Sequence, residues 1–272
     1  MPFDGLRVLA LESRRSSEIE TLIRTRGGVP FVAPSMREIP LQDNPAAFKF
    51  AESLFTGEFD MVIFLTGVGA RLLNQVLETR HPPGAFQEAL HEVAVVVRGP
   101  KPSAVMREWK VPVAVTVPEP NTWRELLAAT ADRPERRIAV QEFGRTSHEL
   151  IEGLQARDAE VTTVPVYQWE LPEDTGPLRE AVRKLANGEF DVAMFTTSIQ
   201  ITHLLQIAAE EGIEPAVTDA LHQLVLASIG PTTSEALREH GFVPDLEPSH
   251  PKMGFLVTEA AERARAILQS KR

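Results

Sequence analysis

The stretch Leu224-Val225-Leu226-Ala227-Ser228-Ile229-Gly230-Pro231-Thr232-Thr233-Ser234-Glu235-Ala236-Leu237 contains the repeating unit of the fold. Its first six residues are a near-continuous apolar run bounded by turn residues, which reads as a strand covered on both faces. Gly230-Pro231 ends the run. A helical pattern then extends over 233–240 and stops before Gly241, a residue suited to the left-handed position past a helix end. Five more apolar runs, at 6–11, 61–65, 93–97, 137–141 and 192–195, have the same form. Each leads through a polar turn into a helical pattern, at 17–26, 69–78, 103–108, 147–156 and 199–211. Strands alternating with helices in this way predict an α/β protein with parallel sheets.

Two segments punctuate the series. Gly27-Gly28-Val29-Pro30-Phe31-Val32-Ala33-Pro34 closes one strand–helix–strand unit, and the segment from Arg157 to Tyr167 closes another. Three units lie between them and two follow the second. The layout we expect has a discontinuous domain 1, residues 1–36 plus 168–272, and an inserted domain 2, residues 37–167. The two would be similar parallel-sheet α/β domains joined by a two-stranded hinge, with the site in a cleft between them. Two sequential domains fit the periodicity equally well.

Composition narrows the function. The 272 residues are 43% hydrophobic and 24% charged, the mixture of a folded globular chain. No apolar run reaches the ~20 residues of a membrane span, and the N-terminus has no secretory pattern. With no cysteine there is no disulfide, thiolate nucleophile or cysteine-held zinc, in keeping with a cytoplasmic address. A net charge of −10 without a basic block argues against nucleic acid. No GxGxxG, GxxxxGK[ST] or GxSxG occurs, and the seven histidines fall at no metal-ligand spacing. These absences leave a dinucleotide, a triphosphate, an α/β-hydrolase nucleophile and a histidine-held metal without support. Nothing suggests an obligate assembly, so a monomer is expected.

In a parallel sheet ligands meet the loops after the strands. Six such loops begin near Glu12, Thr66, Arg98, Glu142, Thr196 and Gly230; they are rich in Gly, Ser and Thr, and Arg14, Arg15, Arg71, Arg98, Lys101 and Arg145 lie in or just after four of them. Backbone N–H groups, hydroxyls and cations together suit a carboxylated ligand. Taken one by one, the same Ser and Thr residues are ordinary helix N-caps.

The quoted stretch, with Ile229-Gly230-Pro231-Thr232-Thr233 between strand and helix, resembles the uroporphyrinogen-III synthase family. Weaker likenesses follow in the family's order: Val62-Ile63-Phe64-Leu65-Thr66, Val96-Val97-Arg98-Gly99-Pro100-Lys101-Pro102, Val166-Tyr167-Gln168-Trp169 and Met194-Phe195-Thr196-Thr197-Ser198. Together they extend over roughly residues 6 to 258. The resemblance implies a cofactor-independent hydro-lyase of heme and other tetrapyrrole biosynthesis. Its substrate would be hydroxymethylbilane, a linear tetrapyrrole with eight carboxylates. Loss of the terminal hydroxyl gives an azafulvene cation, a spiro intermediate forms, and the macrocycle closes with the terminal ring inverted.

On this resemblance Tyr167, the one tyrosine, helps the hydroxyl leave. Packing at the hinge is the alternative for it. Thr66, Thr197, Thr232 and Thr233 match positions that hold substrate carboxylates, and Gly230 would permit close backbone approach. Pro231-Thr232 also fits a plain helix start. Ser103 stands beside Pro102, where many members have a hydroxyl. Arg14, Arg98, Lys101 and Arg145 are substrate-binding candidates from loop position alone. The competing reading is a non-catalytic sensor for a polyanionic small molecule. The chain ends at Arg272 without an output domain, which favours the enzyme.

Overall fold

The computed structural model describes residues 2–40, 44–142, 144 and 146–271. Among them the strands are β1 (Arg7–Ala10), β2 (Val29–Val32), β3 (Arg37–Pro40), β4 (Met61–Phe64), β5 (Ala94–Val97) and β6 (Val115–Thr116), followed by β7 (Arg137–Gln141), β8 (Glu160–Val164), β9 (Tyr167–Glu170), β10 (Val192–Phe195) and β11 (Val225–Ser228). The α/β expectation holds. One four-stranded sheet has the order β11-β10-β1-β2, one five-stranded sheet the order β6-β5-β4-β7-β8, and every pairing given within these two is parallel. β3 and β9 form a separate two-stranded sheet.

Contacts divide the chain into two compact units. The first comprises Met1–Arg37 with Glu170–Arg272, and the second Glu38–Trp169. In the first unit, alternation sorts side chains to the two faces of the sheet. Val8, Ala10, Val192, Met194, Val225 and Ala227 face the helices Ser16–Thr25 and Met253–Lys271. Leu9, Ala193, Phe195 and Leu226 face Gly176–Ala186, Ile199–Glu210 and Glu214–Gln223. Burial on both faces explains why β4, β10 and β11 are apolar at nearly every position. Edge strands differ. β8 alternates exposed and half-buried residues, and Pro30 sits on edge strand β2, where a missing N–H costs no ladder bond.

The six expected helices are all present, with shifted ends. Those expected to begin at 103 and 233 begin instead at Pro100 and Pro231, because proline is well suited to a first turn that needs no N–H donor. Helices at Pro45–Phe55, Ala85–Ala89, Trp123–Ala129, Gly176–Ala186, Glu214–Gln223 and Met253–Lys271 had not been expected. The last buries Ala260, Ala261 and Ala264, small residues that leave little hydrophobic period to read.

At the amino ends of the strands each unit uses the same electrostatic tie. Asp191, just before β10, accepts from the backbone N of Arg7 at 2.8 Å and from its Nε at 3.0 Å. Asp60, just before β4, accepts from the backbone N of Arg137 at 2.9 Å and from its Nε at 3.2 Å. The Arg137 hydrogen bonds hold the Asp60 carboxyl at about 2, below its ordinary 3.8. A carboxyl depressed in the folded state adds stability above its unfolded value and loses that contribution as pH falls through its folded value. Wild type is therefore expected to be more stable than Asp60→Asn near pH 5, with the gap closing between about pH 4 and 2. Urea midpoints across that range check it; a constant gap would discard the tie.

Candidate active site

In open parallel sheets ligands bind where neighbouring strands send their chains to opposite sides. In the second unit that point lies between β4 and β7: the chain runs from β4 to β5 and β6 on one side, and from β7 to β8 on the other. In the first unit it lies between β1 and β10. Both points are bridged by polar side chains.

Beyond β4, Thr66 caps the helix Gly67–Leu77, its Oγ1 accepting from Gly69 N at 3.0 Å. The backbone N of Thr66 donates at 3.2 Å to Oε1 of Gln141, the last residue of β7. Gln141 is buried, and its amide lies so close to Gly69 that a Cβ there would require the amide to move. The phenol oxygen of Tyr167, a residue 4% exposed at the start of β9, stands 3.4 Å from Thr66 Oγ1. The Trp169 ring lies edge-on to Tyr167 at 6.4 Å, and Gly144, with φ of +83°, sits against that indole.

Arg98 follows β5, its N bonded to Phe64 O at 3.0 Å. Burial of its guanidinium lowers its pKa to about 10, while the Tyr167 oxygen acts to raise it. Arg98 remains a cation at neutral pH, and Tyr167 is within its field. Glu142, after Gln141, is also buried; desolvation holds its carboxyl above the ordinary range, opposed by Thr146 and His148.

In the first unit Glu12 and Gln200 make the corresponding bridge. Glu12 Oε2 accepts from Thr196 Oγ1 at 2.5 Å, and Glu12 Oε1 accepts from the backbone N of Arg14 and Arg15 at 3.0 and 3.1 Å. Gln200 Oε1 accepts from Thr196 N at 2.7 Å and Thr197 N at 3.2 Å, and Nε2 donates to Leu11 O at 2.9 Å. Here the expectation of available N–H donors needs correcting. After β1 and β10 the N–H groups of Arg14, Arg15, Thr196 and Thr197 go to Glu12 and Gln200, acceptors closer at hand than any ligand.

The candidate residues thus fall into two groups. Thr66, Tyr167 and Arg98 come together in the second unit. Ser103 lies in the first turn of Pro100–Glu108, its N bonded to Gly99 O at 3.1 Å and its Oγ buried without a hydrogen-bond partner among the described residues. Lys101 is exposed in that same turn, and Arg145 lies outside the described residues. In the first unit Arg14 is exposed, Thr197 and Thr232 are half-buried, and Thr233 is buried with its N bonded to Gly230 O at 3.0 Å. Gly230 is extended, φ 164°, so its backbone needs no glycine. What approaches it closely is Pro251, 3.3 Å from where a Cβ would stand.

Gln141, Gln200 and Glu12 were not anticipated as site residues. The one available signal was a glutamine ending an apolar strand, at Gln141. Among the described residues no group of three or more His, Asp or Glu could hold a metal ion, and no helix is long and apolar enough to cross a membrane.

The fold has solved counterparts. A crystal structure of mutant uroporphyrinogen III synthase from the extremely thermophilic bacterium Thermus thermophilus superposes with a TM-score of 0.73 at 21% identity, covering 97% of this chain and 100% of that one. The uroporphyrinogen-III synthetase of Helicobacter pylori gives 0.52 at 16% identity, covering 98% and 100%. At such identities the likeness is one of fold. In sequence, the "Putative uroporphyrinogen-III synthase" of Methanothermobacter thermautotrophicus is 31% identical over 231 residues, 84% of this chain and 86% of that protein. "Uncharacterized protein YjjA" of Bacillus subtilis is 29% identical over 264 residues, 95% and 96% of the two chains. The family model described as "Uroporphyrinogen-III synthase HemD" matches residues 17–258. The chain belongs to the uroporphyrinogen-III synthase family.

Proposed function

We propose that this protein is a cofactor-independent hydro-lyase that converts hydroxymethylbilane to uroporphyrinogen III. Family membership supports the reading, and the observation that carries it is the pairing of Tyr167 with Thr66 beside the Arg98 charge. A phenol there can give its proton to the departing hydroxyl. The C–O bond breaks, its electron pair stays with oxygen, and water leaves. The azafulvene cation is then attacked through the substituted carbon of the terminal ring. Fragmentation and reclosure invert that ring, and the proton lost from a pyrrole carbon as the macrocycle closes restores the phenol.

The side chains of Arg98, Lys101, Ser103, Arg14, Thr197, Thr232 and Thr233 are proposed to hold substrate carboxylates; the Gly230 N–H is already given to Ser228 Oγ at 3.3 Å. Positioning of that kind can lower a barrier by about 7–11 kcal/mol in favourable cases. It suits a site whose task is to choose which carbon attacks.

The test is an isomer assay on freshly generated hydroxymethylbilane, with the product oxidised and types I and III separated. Because the substrate cyclises unaided to type I, enrichment of type III over the protein-free control is the expected result. Type I alone from folded protein would reject the lyase and leave a binding protein of the same fold.

A further inference from the structure

Thr66 makes three contacts that fix its hydroxyl. Its N is held by Gln141 Oε1, its Oγ1 accepts from Gly69 N, and the same oxygen faces the Tyr167 phenol. A hydroxyl has one proton and two lone pairs. Gly69 N–H belongs to the first turn of Gly67–Leu77, the positive end of that helix dipole, and it occupies one lone pair. A hydroxyl that accepts there becomes a better donor, since chained hydrogen bonds polarise one another. The near group to receive its proton is the Tyr167 oxygen.

We infer that Thr66 is a positioning residue for Tyr167: it donates a hydrogen bond to the phenol oxygen, which orients the ring and strengthens it as an acid, instead of gripping a substrate carboxylate. The catalytic part of this rests on the lyase reading above; the hydrogen bond does not. A donor to the phenol oxygen favours phenolate, the form left after proton transfer. Arg98, a cation whose field reaches Tyr167, acts in the same direction. The 3.4 Å separation is longer than the ~2.7–2.8 Å of a tight O–H···O bond, and catalytic hydrogen bonds commonly shorten as the reacting complex forms. In the reaction the phenol proton passes to the leaving hydroxyl. Thr66 and Arg98 then hold the phenolate until a pyrrole carbon returns a proton.

Tyr167 is the chain's one tyrosine, so the ultraviolet absorbance of tyrosinate reports it alone. An alkaline titration of wild type, Thr66→Ser and Thr66→Val separates the roles. Wild type and Thr66→Ser are expected to share a midpoint, with Thr66→Val higher by roughly half to one unit, the size of one modest hydrogen bond. In the isomer assay Thr66→Val is expected to lose about three- to tenfold in kcat with little change in KM, and Thr66→Ser to restore it. Equal midpoints for all three proteins would overturn the inference. So would a raised KM with unchanged kcat, which is the mark of lost carboxylate binding. Thr66→Val also forfeits the helix cap. If circular dichroism shows it unfolded, Thr66→Gly, an acceptable cap residue with neither a proton to give nor a charge, takes its place with the same outcomes. Should wild type itself fail to enrich type III, the lyase reading falls, and the titration still decides whether Thr66 acts on Tyr167.

Discussion

Replacing Tyr167 with phenylalanine is expected to slow type III formation about ten- to hundred-fold, the lower part of what a general acid contributes. The moderate size follows from the site. Much of the selectivity would come from holding the substrate, and the carboxylate-binding residues are spread over several loops, so removing one proton donor leaves that restraint in place. The substitution is also structurally gentle. Tyr167 packs in the second unit's core with 4% of its surface exposed, and the ring is retained. Thr66 keeps its bond to Gly69. Stability should change by no more than about 1 kcal/mol, the net worth of a hydrogen bond. Initial rates and type III fractions of the two proteins, with melting curves alongside, provide the check. An unchanged rate would remove Tyr167 from the chemistry. Complete loss in a folded protein would mean that the phenol carries far more of the barrier than positioning does.

Gly144→Ala is expected to destabilise the second unit by about 2–5 kcal/mol and to lower activity at least as far as Tyr167→Phe. Two physical effects add. At φ +83° an L residue bears a left-handed strain of roughly 1–2 kcal/mol. The new methyl would also stand 2.6 Å from Cδ2 of Trp169, a rigid indole with no flexible end to swing aside, and overpacking of this kind costs about 1–3 kcal/mol. Relief requires Trp169 to move, and Trp169 is the edge-on neighbour of Tyr167. The phenol would shift relative to Thr66, across a contact already at 3.4 Å. Denaturant midpoints and tryptophan emission measure the first effect, the isomer assay the second. A variant with wild-type stability and rate would show that the indole adapts freely and that its packing does not govern Tyr167.

The fold class was legible because its signal is local. Each of the six expected strands is found where an apolar run lies between turn residues, and burial on both faces is what removes polar residues from β4, β10 and β11. Short edge strand β6 and the alanine-faced helix Met253–Lys271 escaped notice for the opposite reason, having too little length or too little hydrophobic contrast. Periodicity left the interleaved and sequential layouts equal, since a strand–helix unit reads alike in either. The contacts group residues 1–37 with 170–272.

The site was legible only in part. Residue order alone locates the loops of small and hydroxylated residues that follow strands, the one phenol, Tyr167, and the cations near those loops. It did not show where hydrogen bonds go. Thr66 and Gln141 are 75 residues apart, and Thr196 and Glu12 are 184 apart. Tertiary structure brought each pair together by placing β4 beside β7 and β10 beside β1. The reason is physical: strand and helix are set by the period of side chains along a few residues, whereas a buried N–H or hydroxyl takes whichever acceptor the sheet order places beside it.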